Sequence, residues 1–218
     1  MKLKFAMGLM LSALFFFAAA QAAMPSAEEV VRTTTDQVVA RLVDQKPELE
    51  AHPERIYDLI HELVIPHFDF ASMSKWVLGK SWKDASPTQR DAFISQFRTL
   101  LVRTYAKALL EYSEEVIRFL PVEPNPSSNL VLVKTEVEQS AGSAAIPIQY
   151  RLHITEGAWK VVDVSVDGVS LVSTYRGSFA SDIQRDGLDA LIGRLEERNS
   201  KIVISSEAAD QQPATASP

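Results

Sequence analysis

From Ser26 to Gln45 the apolar residues Val30, Val31, Val38, Val39, Leu42 and Val43 recur at helical spacing, with no glycine or proline between them. That stretch predicts an amphipathic helix. Pro47 and Pro53 bracket a break, and Pro53 stands where a second helix can start, followed by Ile56, Leu59, Ile60 and Leu63 until Pro66 interrupts. A short helix through Phe70, Met73, Trp76 and Val77 is expected to stop at Gly79. Ser86-Pro87-Thr88-Gln89 carries the strongest start signal: serine as cap, proline at the first helical position and glutamine three residues on. The helix that follows is expected to run to about Glu115, with Phe93, Phe97, Leu100, Leu101, Tyr105, Ala108 and Tyr112 on one broad face. Pro121, Pro124 and Pro126 mark a turn-rich connector.

Beyond that connector the period falls from 3.6 to 2. Val131, Val133, Thr135 and Val137 alternate with Leu132, Lys134, Glu136 and Glu138. Ile146, Ile148, Tyr150, Leu152 and Ile154 share one face of a second run, and Val162, Val164 and Val166 oppose Asp163, Ser165 and Asp167 in a third. Short links at Gly142 and Gly157 make this an antiparallel meander with one covered face. Helical spacing returns over 169–179 and 181–198, and the tail, 201–218, is expected to be disordered. Helices, strands, then helices predict an α+β fold with an antiparallel sheet packed against helices.

The first 23 residues read as an export signal, with Lys2 and Lys4, an uncharged run from Phe5 to Ala20, and Ala20-Gln21-Ala22 as the cleavage pattern. That run is shorter than the ~20 residues a membrane span needs. A single domain over 24–200 is expected, helical over 24–120, with sheet and C-terminal helices over 121–200. The chain holds no cysteine, which excludes disulfides, thiolate metal sites, a cysteine nucleophile and the lipid-bearing residue of a bacterial lipoprotein. The full chain carries a net charge of −6. Loss of Lys2 and Lys4 with the signal leaves 20 basic and 28 acidic residues, so the mature charge is −8. Such a chain is a poor nucleic-acid binder, because phosphate affinity rests on Lys and Arg displacing counterions.

Reaction chemistry is sparse. The eight glycines are never closer than six residues, so no dinucleotide or phosphate loop is present. Gly168-Val169-Ser170 is a poor nucleophile elbow, and Ser170 suits a helix cap better. His52, His61, His67 and His153 show no metal spacing, and His67-Phe68-Asp69 lacks a third ligand, so no metal is expected. Asp163 and Asp167 lie four apart on one strand, about 13 Å at ~3.3 Å per residue. That exceeds the at most ~9.5 Å of a glycosidase pair, and a solvated sheet face accounts for both. What stands out is apolar bulk, which either packs as core or encloses an apolar cavity.

Val77-Leu78-Gly79-Lys80-Ser81-Trp82, Ala85-Ser86-Pro87-Thr88-Gln89-Arg90 and Leu100-Leu101-Val102-Arg103-Thr104-Tyr105-Ala106 resemble the MlaC family of periplasmic phospholipid-binding proteins, the toluene-tolerance auxiliary components. Ile148-Gln149-Tyr150-Arg151, Trp159-Lys160-Val161-Val162-Asp163-Val164, Asp167-Gly168-Val169-Ser170-Leu171-Val172 and Tyr175-Arg176-Gly177-Ser178-Phe179 are similar to the family's second half. The likeness runs from about Val30 to Leu195.

The resemblance implies a curved sheet with helices of the nuclear-transport-factor-2 (NTF2-like) type around a hydrophobic pocket. It implies a carrier and no enzyme, with a glycerophospholipid as cargo and no cofactor. Its partners would be an outer-membrane lipoprotein complex and an inner-membrane ABC transporter with its substrate-binding ring. The role it implies is maintenance of outer-membrane lipid asymmetry by a monomer in the periplasm. The expected lining is Phe97, Leu101, Tyr105, Leu109 and Tyr112 from the long helix, with Ile148, Tyr150, Val162, Val164 and Val166 from the strands. Val169, Leu171, Val172 and Tyr175 would close the mouth, and Arg103 and Lys107 would meet the head group. Two other classes fit the fold: a small-molecule isomerase, which needs a carboxylic acid pointing into the cavity, and an apolar-groove chaperone.

Overall fold

The computed structural model describes residues 24–111, 116–122, 129–138 and 144–210. The export signal, Tyr112, the Gly142 link and residues 211–218 lie outside them.

Helix α1 (Ala27–Asp44) begins where Ser26 Oγ accepts the Glu29 N–H at 3.1 Å. After α2 (Lys46–Ala51) the chain makes a 3-10 turn at Pro53–Arg55, α3 (Ile56–Leu59), a π-helical turn at Ile60–Val64 and a second 3-10 turn at Ile65–His67. Pro66 has no N–H to donate to Glu62, and the helix changes pitch around it. Asp69 caps α4 (Phe70–Leu78), which stops at Gly79 in a left-handed conformation with φ +56°. After α5 (Ser81–Asp84), the predicted capping box opens α6 (Pro87–Glu111). Ser86 Oγ accepts the Gln89 N–H at 3.2 Å, and the Gln89 side chain accepts the Ser86 N–H at 2.9 Å.

Five strands form one antiparallel meander: β1 (Val116–Phe119), β2 (Leu130–Glu138), β3 (Ile146–Thr155), β4 (Ala158–Val166) and β5 (Val169–Ser170). Helices α7 (Leu171–Asp186) and α8 (Leu188–Asp210) follow, separated at Gly187 with φ +86°. Strand β1 extends the sheet into the part expected to be helical. The break between the last helices lies at Gly187 and not near 180, because α7 bonds continuously until this glycine ends it. Helix α8 continues to Asp210, into the segment expected as tail.

Apolar side chains gather in three clusters. Phe93, Phe97, Leu100 and Leu101 of α6 pack with Met73, Val77 and Leu78 of α4, Val172 and Phe179 of α7, and Leu191 and Leu195 of α8. Further along α6, Ala106, with Leu109 and Leu110 beside it, meets Val38 and Leu42 of α1, Leu49 of α2 and Ile56, Leu59 and Ile60. The third cluster joins Ala27 and Val31 of α1 to Val133, Leu152 and Val161 of the sheet. Helix α6 is thus a beam shared by two helical clusters, and α1 covers part of the sheet.

Candidate functional site

Strand pairing turns the alternating pattern into a surface. Partners directly opposite in an antiparallel sheet share a face, so four apolar rows cross it on the side that α1 covers. Val131, Leu152 and Val161 make the first row, and Val133, Tyr150 and Val164 the second. The third runs Phe119, Thr135, Ile148, Val166 and Val169 through all five strands, and the fourth is Ile117, Val137 and Ile146.

Burial falls along this face. Leu152, Val133, Thr135 and Val161 are buried, whereas Ile146, Ile148, Tyr150 and Val164 are only half-buried. Val166 and Val169 are 37% and 59% exposed. In a closed core, large aliphatic residues on the covered face would lose nearly all contact with solvent-sized space. Here the face stays accessible from the β4–β5 turn inward. At the β1 side a groove of about 260 Å³ is lined by Thr35, Asp36, Val39 and Ala40 of α1 and by Ile117.

The expected lining residues separate into two groups. Ile148, Tyr150, Val164, Val166 and Val169 share the inner face. Phe97, Leu101, Val162 and Val172 are buried in the α4–α6–α7–α8 cluster, with Tyr175 packed against it. Phe97 meets Tyr175 edge-on at 5.3 Å and Phe179 at 6.3 Å. Leu109 packs in the α1–α3 cluster and Leu171 is half-buried at the start of α7. Tyr105 of α6 is 37% exposed and has Tyr175 of α7 as a neighbour. Burial, followed by the Tyr175 neighbour, pushes the Tyr105 hydroxyl above its ordinary range. The Arg103 guanidinium donates to the Asn199 carbonyl of α8, and Lys107 is exposed one turn later.

Among the inner-face residues the sequence reading did not name as lining are Phe119, Val131, Val133, Thr135, Val137 and Ile146. The alternation of β2 and β3 carried the signal for most of them; only the hairpin register was needed to bring the faces together. Two hydroxyls sit in this apolar field. Burial raises the Tyr150 hydroxyl's pKa, and the neighbouring Thr135 hydroxyl opposes that rise.

The strand parity at Asp163 is corrected by the structure. Asp163 pairs with Arg151 while Val161 pairs with Leu152, which leaves Val162 as the extra residue of a β-bulge. Val162 therefore points into the helical cluster and Asp163 lies beneath α7, 2% exposed, instead of on a solvated face. Its carboxylate accepts Ser170 Oγ–H at 2.7 Å and the Val172 N–H at 3.1 Å, with Arg151 Nη1 at 3.5 Å. These groups staple β4 and β5 to the start of α7.

Asp69 forms the other polar cluster. Its oxygens accept the Ser72 N–H and hydroxyl, both at 2.8 Å, and the Thr155 hydroxyl at 3.0 Å, with His153 Nε2 at 2.9 Å. Burial alone would raise its carboxyl, but the bonds from Ser72, His153 and Thr155 outweigh burial and hold it below the usual range. Thr155 Oγ1 also lies 2.6 Å from the same His153 nitrogen. A base that activates a nucleophile needs one ring nitrogen for the nucleophile and the other for the orienting acid. Here hydroxyl and carboxylate crowd a single nitrogen, so the trio works as an anchor between α4 and β3.

No group of three metal-binding side chains occurs among the described residues, and no helix there is long and apolar enough to cross a membrane.

The chain is similar to known proteins over most of its length. The toluene tolerance protein ttg2D of Pseudomonas putida is 29% identical over 85% of each chain. The intermembrane phospholipid transport system binding protein MlaC of Haemophilus influenzae is 22% identical over 82% of this chain and 84% of its own. A phospholipid-binding protein from Ralstonia solanacearum, solved in complex with a phospholipid, superimposes with a TM-score of 0.74. It is 27% identical, and the match spans 82% of this chain and 99% of that one. The MlaC protein family model matches residues 32–197, well over half of the chain, and with the shared α+β architecture this shows that the chain belongs to the MlaC family.

Proposed function

We propose that the protein is a periplasmic carrier that holds glycerophospholipid acyl chains against the inner face of its sheet. In this reading it shuttles lipid between an outer-membrane lipoprotein complex and an inner-membrane ABC transporter, so maintaining lipid asymmetry. The observation that carries the proposal is the half-buried apolar field of Ile146, Ile148, Tyr150 and Val164, opening at Val166 and Val169. The phospholipid complex of the Ralstonia solanacearum protein supports it.

Two tails of ~16 carbons expose about 30 methylenes, and at ~0.8 kcal/mol each their transfer to water costs about 24 kcal/mol. A phospholipid therefore does not cross an aqueous gap alone at a useful rate. A sheet face that replaces one apolar surround with another brings extraction near neutrality, and direction must come from partners or from ATP hydrolysis elsewhere. The two polar clusters support binding over catalysis: Asp163 is fully engaged in capping α7, and Asp69 in capping α4. The relatives, too, are named for binding, transport or tolerance rather than for a reaction.

Val166→Glu tests the reading. Val166 is on the inner face and already 37% exposed, so the variant is expected to fold normally. It should lose the phospholipid that copurifies with the wild type. Wild-type lipid content in the folded variant would remove Val166 from the lipid path.

A further inference from the structure

The segment from Gly79 to Lys83 gathers cations from three parts of the chain. Lys80 and Lys83 are exposed on it. Arg90 reaches back from α6, its Nε donating to the Trp82 carbonyl at 3.1 Å and Nη2 to the Lys83 carbonyl at 3.3 Å, with the guanidinium 5.2 Å from the Trp82 ring centre. From α7 comes Arg176, exposed, whose guanidinium lies 3.2 Å from where a Cβ at position 79 would stand. Gly79 thus serves twice: its φ of +56° ends α4, and its missing side chain leaves room for Arg176.

Most of the described arginines away from this face sit against a carboxylate, although Arg98, Arg103 and Arg198 do not. Arg32, Arg41, Arg55, Arg118, Arg185 and Arg194 each pair with Glu or Asp. Among the described residues, Lys80, Lys83, Arg90 and Arg176 have no such carboxylate partner, although Asp84 and Asp91 are exposed nearby in sequence. In a chain of net charge −8 after export, paired arginines are easily supplied with acids. A cluster left unpaired around a half-buried tryptophan has the composition of an interface centre, where Trp and Arg dominate.

We infer that the Lys80–Lys83–Arg90–Arg176 face, centred on Trp82, docks an acidic protein surface. The inference rests on the carrier reading, since a shuttle must be recognised at each membrane. A protein surface is favoured over an anionic leaflet by charge. The chain's net −8 repels an extended anionic plane, and within the ~8 Å screening length at physiological salt only a shaped surface can address this patch alone.

The test compares Lys80→Glu/Arg176→Glu with Arg32→Glu/Arg41→Glu, which changes net charge equally at another place. Each is presented to the purified inner-membrane ring complex, to the purified outer-membrane lipoprotein complex and to phosphatidylglycerol vesicles, and binding is followed by biolayer interferometry at low and high salt. The expected result is an association rate with at least one protein complex about tenfold lower for the first variant. The control should bind like wild type, salt should weaken the wild-type contact, and none should bind the vesicles. Equal loss in both variants, no loss in either, or loss confined to vesicles would overturn the inference. Lipid content, measured on the same preparations by mass spectrometry, separates this outcome from the carrier reading: the docking variant should retain its lipid. A lipid-free wild type would count against the carrier alone.

Discussion

Asp163→Ala is expected to be among the most destabilising single truncations of a polar side chain in this protein. The carboxylate is 2% exposed and accepts the Ser170 hydroxyl at 2.7 Å and the Val172 N–H at 3.1 Å. Val172 is itself buried, so its N–H, one of the unpaired donors at the start of α7, would lose its acceptor with no route to water. Hydrogen bonds to a charged group are worth about 1.5–3 kcal/mol each. The Ser170 hydroxyl can partly turn to solvent, which places the total near 3–4 kcal/mol. Arg151, by contrast, is 44% exposed and 3.5 Å away, so Arg151→Met should cost less than about 1 kcal/mol. Urea unfolding followed by tryptophan fluorescence and far-UV circular dichroism gives both numbers. With native domains stable by ~5–15 kcal/mol, the alanine variant should still fold and its midpoint can be read. A loss below about 1 kcal/mol for Asp163→Ala, or an equal loss for Arg151→Met, would refute the assignment of Asp163 as the staple between β4, β5 and α7.

Phe97→Ala, which empties a fully buried position against Phe93, Tyr175 and Phe179, should cost about 3–5 kcal/mol in the same assay; a loss under 1 kcal/mol would show that the aromatic cluster collapses without cost. Asp69 has a depressed carboxyl, so its stabilising effect is complete above the ordinary carboxylate pKa and is lost as the pH falls through its lower native value. Asp69→Asn should therefore flatten the acid limb of the stability–pH curve, and an unchanged limb would rule out the anchor as a source of acid sensitivity.

Much of the fold was legible because local signals were strong and agreed. The Ser86–Gln89 box, the glycine stop at 79 and the alternation of β2 and β3 each fix an element by local chemistry, and all three stand as expected. Strand β1 was hidden because Val116–Phe119 is short and preceded by a long helical period; only its pairing with β2 makes it a strand. The bulge at Val162 was hidden for a related reason. A strict period of two reads Val162, Val164 and Val166 as one face, and a single inserted residue reverses parity on one side of it. Asp163 was thereby read as solvated when it is the buried staple. The candidate site was partly visible: Ile148, Tyr150, Val164, Val166 and Val169 do share a face. Phe97 and Leu101 meet other helices, because an apolar helix stripe reports that it is covered and not by what.

Native mass spectrometry of the mature protein purified from the periplasm, followed by lipid extraction, tests the central claim most directly. The account predicts a stoichiometric mass increment that is released as glycerophospholipid, its size giving the number of acyl chains held above the sheet. A bare polypeptide mass, with no uptake from added phospholipid vesicles, would contradict it.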